Sequence, residues 1–219
     1  MNFLIGDFAM SDIISPISLP IFISLGLLSI AMIAVTLRKI GQFRKLRTGG
    51  RDGAEAALKL WLAGHSQDAM ERARAQNSVL GRILTAVMSG VQARNGKSEY
   101  AEELGRQTAL VELAQMGRYM RFLEICVSSA PLLGLLGPGL GVFDAFADLS
   151  AVQGAADPAS LAQGIWTALT TTAAGLVLAL VADFITSWFE ARIERERVLA
   201  ETMISAAIFG RAGSIADAA

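Results

Sequence analysis

Charge is scarce in this chain. Only 18% of its 219 residues are Asp, Glu, Lys or Arg, the net charge is -1, and 53% are hydrophobic, giving a mean hydropathy of +0.47. A water-soluble domain is excluded as the default by that balance, and an integral membrane protein takes its place. The single cysteine, Cys126, forms no internal disulfide and lies in an apolar run, where it serves as a small hydrophobe. The single histidine, His65, has no neighbouring histidine or cysteine, so no metal site is expected. There is no G-x-x-x-x-G-K-[ST] loop for a nucleotide and no basic stripe with interleaved aromatics for nucleic acid. No nucleophile, base and orienting group gather at plausible positions, so the chain is expected not to be an enzyme and to need no cofactor.

What is present is three long runs without charge. A bilayer core of about 30 Å takes about 20 residues of helix. The first run, ISLPIFISLGLLSIAMIAVTL, spans 17–37; the second runs from Ile125 to Phe143 between Glu124 and Asp144; the third runs from Pro158 to Ala182 between Asp157 and Asp183. The preceding MNFLIGDFAMSDIISP has no Lys or Arg, and the first run is long for a signal core, so it reads as a span and not a cleaved signal.

Basic residues set the expected orientation. RKIGQFRKLRTGGR follows the first run, Arg118 and Arg121 precede the second, and Arg192, Arg195 and Arg197 follow the third, while 144–164 holds no Lys or Arg. All of these lie on the cytoplasmic side if the N-terminus is outside. The expected organisation is an all-α membrane protein with a periplasmic segment at 1–12, transmembrane helices at 13–37, 122–146 and 164–186, a periplasmic loop at 147–163, a cytoplasmic helical domain at 38–121 and a cytoplasmic C-terminal helix and tail at 187–219.

The cytoplasmic stretch reads as two or three helices, with Gly64, Gly81, Gly90 and Gly96 as candidate breaks. The last of them starts near Ser98 and is expected to continue unbroken into the second span. The third span likewise continues as helix through FEARIERERVLAETMISAAIF, where Glu194 and Arg197 stand three apart and can pair.

The second span, APLLGLLGPGLGVFDAF from Ala130 to Phe146, is made of helix breakers. Ala130, Gly134, Gly137 and Gly141 form a small-residue stripe that lets another helix approach closely, and Gly175, Ala174 and Ala182 do the same on the third span. Pro138 removes the donor that would meet the Gly134 carbonyl four residues earlier. A carbonyl bared in the bilayer must face protein or water, so either a side chain from another helix satisfies it or this face lines a wet path. TALTTTAAG in the third span supplies hydroxyls at Thr167, Thr170, Thr171 and Thr172, which cover more than one face. Any one threonine satisfies its own i-4 carbonyl, but four in six positions should leave at least one for a partner helix or a pore. No acidic or basic residue lies in the middle of any span; Asp144 and Asp183 stand about 9 Å and 16 Å along a helix from Pro138 and Thr172, as interfacial charges. If the chain handles protons, the titrating carboxylate comes largely from another chain.

These two spans resemble the paired signature of the MotA/TolQ/ExbB proton-channel family, A-P-x-x-G-L-x-G-T-V-x-G-M-x-x-x-F and I-x-x-A-L-x-x-T-A-x-G-L. Ala130, Pro131, Gly134, Leu135, Gly137, Gly141 and Phe146 fit the first motif. Ile165, Ala168, Leu169, Thr172, Ala173, Gly175 and Leu176 fit the second. Three spans and the chain length are similar to the ExbB/TolQ branch. The resemblance implies a homopentamer in the bacterial inner membrane, with a dimeric ExbD/TolR-like partner in a central pore supplying the proton-carrying aspartate. It also implies that the motor energises a TonB- or TolA-like periplasm-spanning protein. Thr172, Thr171, Pro138, Gly134 and Thr167 are then the expected pore-lining residues, and Ala130, Gly137, Gly141 and Gly175 the packing residues. Three positions depart from the family pattern: a threonine is replaced by Pro138, a glutamate by Thr167, and a proline by Val181. Two alternatives follow from those departures, a membrane scaffold without conduction and a sodium-coupled motor using the Gly134 carbonyl.

Overall fold

A computed structural model describes residues 19–45, 50–93, 98–151 and 158–210. The side chains at 45, 144, 145, 147–151, 158–161 and 163 lie outside the description, as do the segments expected at 1–12 and 13–18, Gly96, and the tail at 211–219. Among the described residues there are seven helices and no strand. They are α1 (Leu19–Lys45), α2 (Arg51–Leu62), α3 (Ser66–Ala75), α4 (Val79–Ala93), α5 (Ser98–Gly117), α6 (Met120–Ala151) and α7 (Pro158–Phe209). The all-α expectation holds. Three of the helices, over Leu19–Arg44, Met120–Phe143 and Gly164–Phe209, are long and apolar enough to cross a membrane.

The chain divides into two compact units. One contains Met1–Thr36 and Met120–Thr186, the other Leu37–Tyr119 and Ser187–Ala219, so α1 and α7 each contribute residues to both.

Where α6 meets α7 in the first unit, small residues face inward and large ones outward, although Leu25 and Met32 of α1 and Leu123 of α6 are also buried. The enclosed positions are Ala130, Gly134 and Gly137 on α6 and Ala168, Thr171, Gly175, Ala179, Ala182 and Thr186 on α7, spaced three and four apart. Leu132, Leu135, Leu136, Leu140 and Phe143 on α6, and Leu169, Leu176, Val177, Leu180 and Phe184 on α7, are exposed. A water-soluble bundle inverts that order. Without water to drive large apolar groups inward, close backbone contact is what holds membrane helices together, and only small residues permit it.

The second unit encloses large apolar side chains. Val79, Leu80, Ile83, Leu84, Val87 and Met88 of α4 are wholly enclosed, together with Ala54, Ala57 and Leu58 of α2 and Met203 of α7. Each large side chain so buried contributes about 1.5–3 kcal/mol of transfer free energy. Arg82 of α4 donates from Nε and Nη2 to the two carboxylate oxygens of Glu112 of α5, each at 2.6 Å, which raises the guanidinium pKa above its ordinary value despite partial burial. The indole of Trp61 donates to the Ala207 carbonyl at 3.0 Å, tying α2 to the end of α7.

Two expectations are corrected here. Four helices, not two or three, occupy 51–117. Gly64 does mark a break, with φ +87, but Gly81 and Gly90 lie inside α4. A Cβ at Gly81 would come 2.7 Å from the Ala73 carbonyl oxygen, and one at Gly90 would come 2.8 Å from Ala101 Cα, so both glycines serve close approach. The second break falls at Asn77, φ +50, where Ser78 Oγ then accepts from Gly81 N–H and starts α4. The other correction concerns the entry into the second span. α5 stops at Gly117, and Tyr119 with φ +71 separates it from α6, so the helix from Ser98 is not continuous with that span. The helical continuation of the third span holds: α7 runs unbroken for 52 residues, and Arg197 pairs with Glu194 at 3.8 Å and with Glu201 at 3.4 Å.

Candidate functional site

Pro138 sits inside α6 and has no N–H for the Gly134 carbonyl. That carbonyl meets Thr172 of α7, whose Oγ1 lies 3.2 Å from it and 3.1 Å from the Ala168 carbonyl of its own helix. One hydroxyl carries one proton, so the two carbonyls share a single donor. A hydroxyl from another helix is therefore what repairs the bared carbonyl.

Glycine makes the contact possible. A Cβ at Gly175 would stand 2.6 Å from the Ala130 carbonyl oxygen and 2.8 Å from Gly134 Cα, and one at Gly134 would stand 3.2 Å from Gly175 Cα. Backbones this close bring a short threonine side chain within reach of a carbonyl on the facing helix. Gly137 leaves the volume that Thr171 fills, since a Cβ there would overlap the Thr171 side chain. Gly141 faces the Gly164 carbonyl oxygen, 3.2 Å from where its Cβ would be. Ala130 is fully enclosed beside them.

The hydroxyls divide by role. Thr170 donates to Trp166 at 2.9 Å and Thr171 to Ala168 at 2.8 Å, both within α7. Thr171 is fully buried, Thr167 is 6% exposed, and Gly134 is enclosed between the two helices. Those three are expected to line a pore; within this single chain Gly134 and Thr171 pack where α6 meets α7, and Thr167 is buried. Thr172 and Pro138 keep partial exposure at its edge. Asp183 is exposed on α7, and the Asp144 side chain lies outside the description. Among the described residues no group of three metal-ligating side chains exists.

A second polar contact was missed by the sequence reading. Lys39 of α1 is completely buried in the second unit. Its ammonium donates to the carbonyls of Met116 and of Arg118, the latter at 2.7 Å, and Gln42 Nε2 donates to the Gln115 carbonyl at 2.6 Å. The Gln115 and Met116 carbonyls lie in the last turn of α5, where helical donors run out, and that of Arg118 lies just past it; Gln115 also accepts from the Arg118 N–H at 3.3 Å. The Phe43 and Phe189 rings, centred 5.3 Å and 5.9 Å from Nζ, complete the surroundings. A signal existed: Leu25, Met32 and Lys39 are seven apart on α1, and the first two are buried, so Lys39 falls on the inward face of the helix.

Comparison with known proteins identifies the class. The profile of the MotA/TolQ/ExbB proton channel family matches residues 75–202, more than half of the chain, and the chain belongs to that family. It is 33% identical over 121 residues to an ExbB homologue of biopolymer transport in Methanothermobacter thermautotrophicus, a match covering 55% of this chain and 41% of the relative. It is 36% identical over 110 residues to the ExbB-like 1 protein of Synechocystis sp., covering 49% and 42%. It is 41% identical over 68 residues to the biopolymer transport protein exbB1 of Vibrio cholerae, covering 31% and 30%. Each match spans less than half the length of the curated relative, and together they support the ExbB-like branch.

Proposed function

We propose that this chain is the channel-forming subunit of an ion-driven motor of the ExbB/TolQ kind in the bacterial inner membrane. Its N-terminus lies in the periplasm and its C-terminus in the cytoplasm. In this reading several copies, five by family resemblance, surround the spans of an ExbD/TolR-like dimer, and ion flow energises a TonB- or TolA-like protein. The observation that carries the proposal is the Thr172 hydroxyl held at the Gly134 carbonyl, 3.2 Å away, between spans that contain no acid or base in their middle.

A hydroxyl relays a proton or holds a water but does not store charge near neutral pH, so the group that binds the ion belongs to the partner. Thr172 and the edge at Pro138 hydrate that group as it passes. The departure from the family threonine at Pro138 is offset, because the proline bares a carbonyl acceptor where a hydroxyl would otherwise stand.

The test is proton flux into vesicles holding the chain together with its partner. Thr172→Val should reduce flux at least about tenfold, whereas Pro138→Thr should leave it roughly unchanged. Undiminished flux in the Thr172 variant refutes the proposal. The sodium-coupled alternative would use the Gly134 carbonyl as a ligand, through the lone pair that the Thr172 hydroxyl leaves free. Replacing sodium by potassium separates the two: unaltered activity is expected for protons, and loss of activity for sodium.

A further inference from the structure

Among the described residues, Tyr119 and Asn77 are the two non-glycine residues with positive φ. The Tyr119 φ of +71 lies in the left-handed region, where a bulky side chain costs about 1–2 kcal/mol. Such strain persists where surrounding contacts hold it in place. The contacts here are two cations. The Arg38 guanidinium carbon lies 5.5 Å from the centre of the Tyr119 ring and that of Arg118 lies 5.2 Å from it.

Two guanidiniums gathered on one ring repel each other and call for an anion. None is supplied by the chain, because neither arginine forms an ion pair with a carboxylate among the described residues. The carbonyl ends of α5 do not take up the charge either, since Lys39 and Gln42 already occupy those of Gln115, Met116 and Arg118. Both arginines are exposed.

We propose that Arg38, Arg118 and Tyr119 form a binding site for the phosphodiester headgroup of an anionic phospholipid. Position favours a lipid over a dissolved phosphate. Arg38 directly follows Leu37, the last residue of an uncharged run of spanning length, and so stands at headgroup level. Leu37 and Ile40, on either side of it in sequence, are 65% and 40% exposed and offer apolar surface to an acyl chain. A tyrosine at that level is the usual membrane-interface residue, and paired arginines suit a phosphate geometrically. The site requires only that the chain be embedded in a membrane, so it stands or falls independently of ion conduction.

The test is native mass spectrometry of the full-length chain in detergent, titrated with dioleoyl phosphatidylglycerol, dioleoyl phosphatidylcholine or glycerol 1-phosphate. Phosphatidylglycerol should bind about fivefold or more tightly than phosphatidylcholine, because each arginine near the surface contributes to anionic attraction. Arg38→Gln with Arg118→Gln should abolish that preference, and Arg74→Gln, at an exposed arginine of α3, should leave it. Tyr119→Gly guards against misfolding of the double variant: glycine accepts φ +71 without strain, so helix content should be kept while the lipid preference drops. Equal binding of the two lipids by the unaltered chain overturns the proposal. So does a preference that survives in both the double variant and Tyr119→Gly, or displacement of the lipid by glycerol 1-phosphate at matched concentration.

Discussion

The two units of this molecule each contain helix carbonyls that have lost their donor, and each repairs them differently. In the membrane unit Pro138 bares the Gly134 carbonyl, and a neutral hydroxyl from Thr172 meets it at 3.2 Å. In the other unit α5 ends at Gly117, and the buried ammonium of Lys39 meets the carbonyl of Met116 in its last turn and that of Arg118 just past it. The difference follows from what each surrounding tolerates. Inside an apolar span a charge is expensive, so a hydroxyl is the affordable donor. At a helix C-terminus the partial negative charge and two aromatic rings compensate a cation. A membrane helix can thus carry a proline when a glycine-lined neighbour brings a threonine close enough to meet the bared carbonyl.

Substitutions can break either half of this comparison. The largest effect is expected from Lys39→Met. Leaving the buried Met116 carbonyl without this donor costs about 1–3 kcal/mol and the part-buried Arg118 carbonyl less, offset in part because an ammonium no longer has to be desolvated. A net loss of about 2–3 kcal/mol should appear as a lower midpoint in thermal unfolding in detergent. A change of under about 0.5 kcal/mol would show that the cap does not stabilise α5.

Next comes Gly175→Ala. Its methyl would meet backbone atoms of Ala130 and Gly134 at 2.6 and 2.8 Å, and overpacking of this kind costs about 1–3 kcal/mol. Gly139→Ala sharpens the contrast: nothing lies within 4 Å of the added methyl, so stability should hold or rise by up to about 1 kcal/mol. Should both substitutions cost the same, close approach is not what those glycines provide.

Much of this arrangement was legible in advance, for stated reasons. The uncharged runs gave the three spans because length and polarity alone decide whether a helix can cross a bilayer. The Gly134 carbonyl could be singled out because proline removes a donor at a fixed offset of four residues, and the partner had to be a polar side chain or water. Sequence could not show that α6 covers Thr171 or that Thr167 is buried, because which face of a threonine-rich helix packs inward depends on the neighbour's small residues. Gly81 and Gly90 misled because glycine signals both chain breaks and close packing. The break at Tyr119 has no composition signal, since tyrosine rarely adopts a positive φ. Lys39 was read only as part of a basic cluster that orients the chain, although its spacing from Met32 placed it among buried positions.

The central claim is that the Thr172 hydroxyl serves the carbonyl that Pro138 bares, and a double-mutant cycle on unfolding stability in detergent tests it most directly. Pro138→Ala restores an N–H to the Gly134 carbonyl, so Thr172 is no longer needed there. The account predicts that Thr172→Val costs about 1 kcal/mol with Pro138 present and close to nothing with alanine at that position. An equal cost in both backgrounds would contradict it.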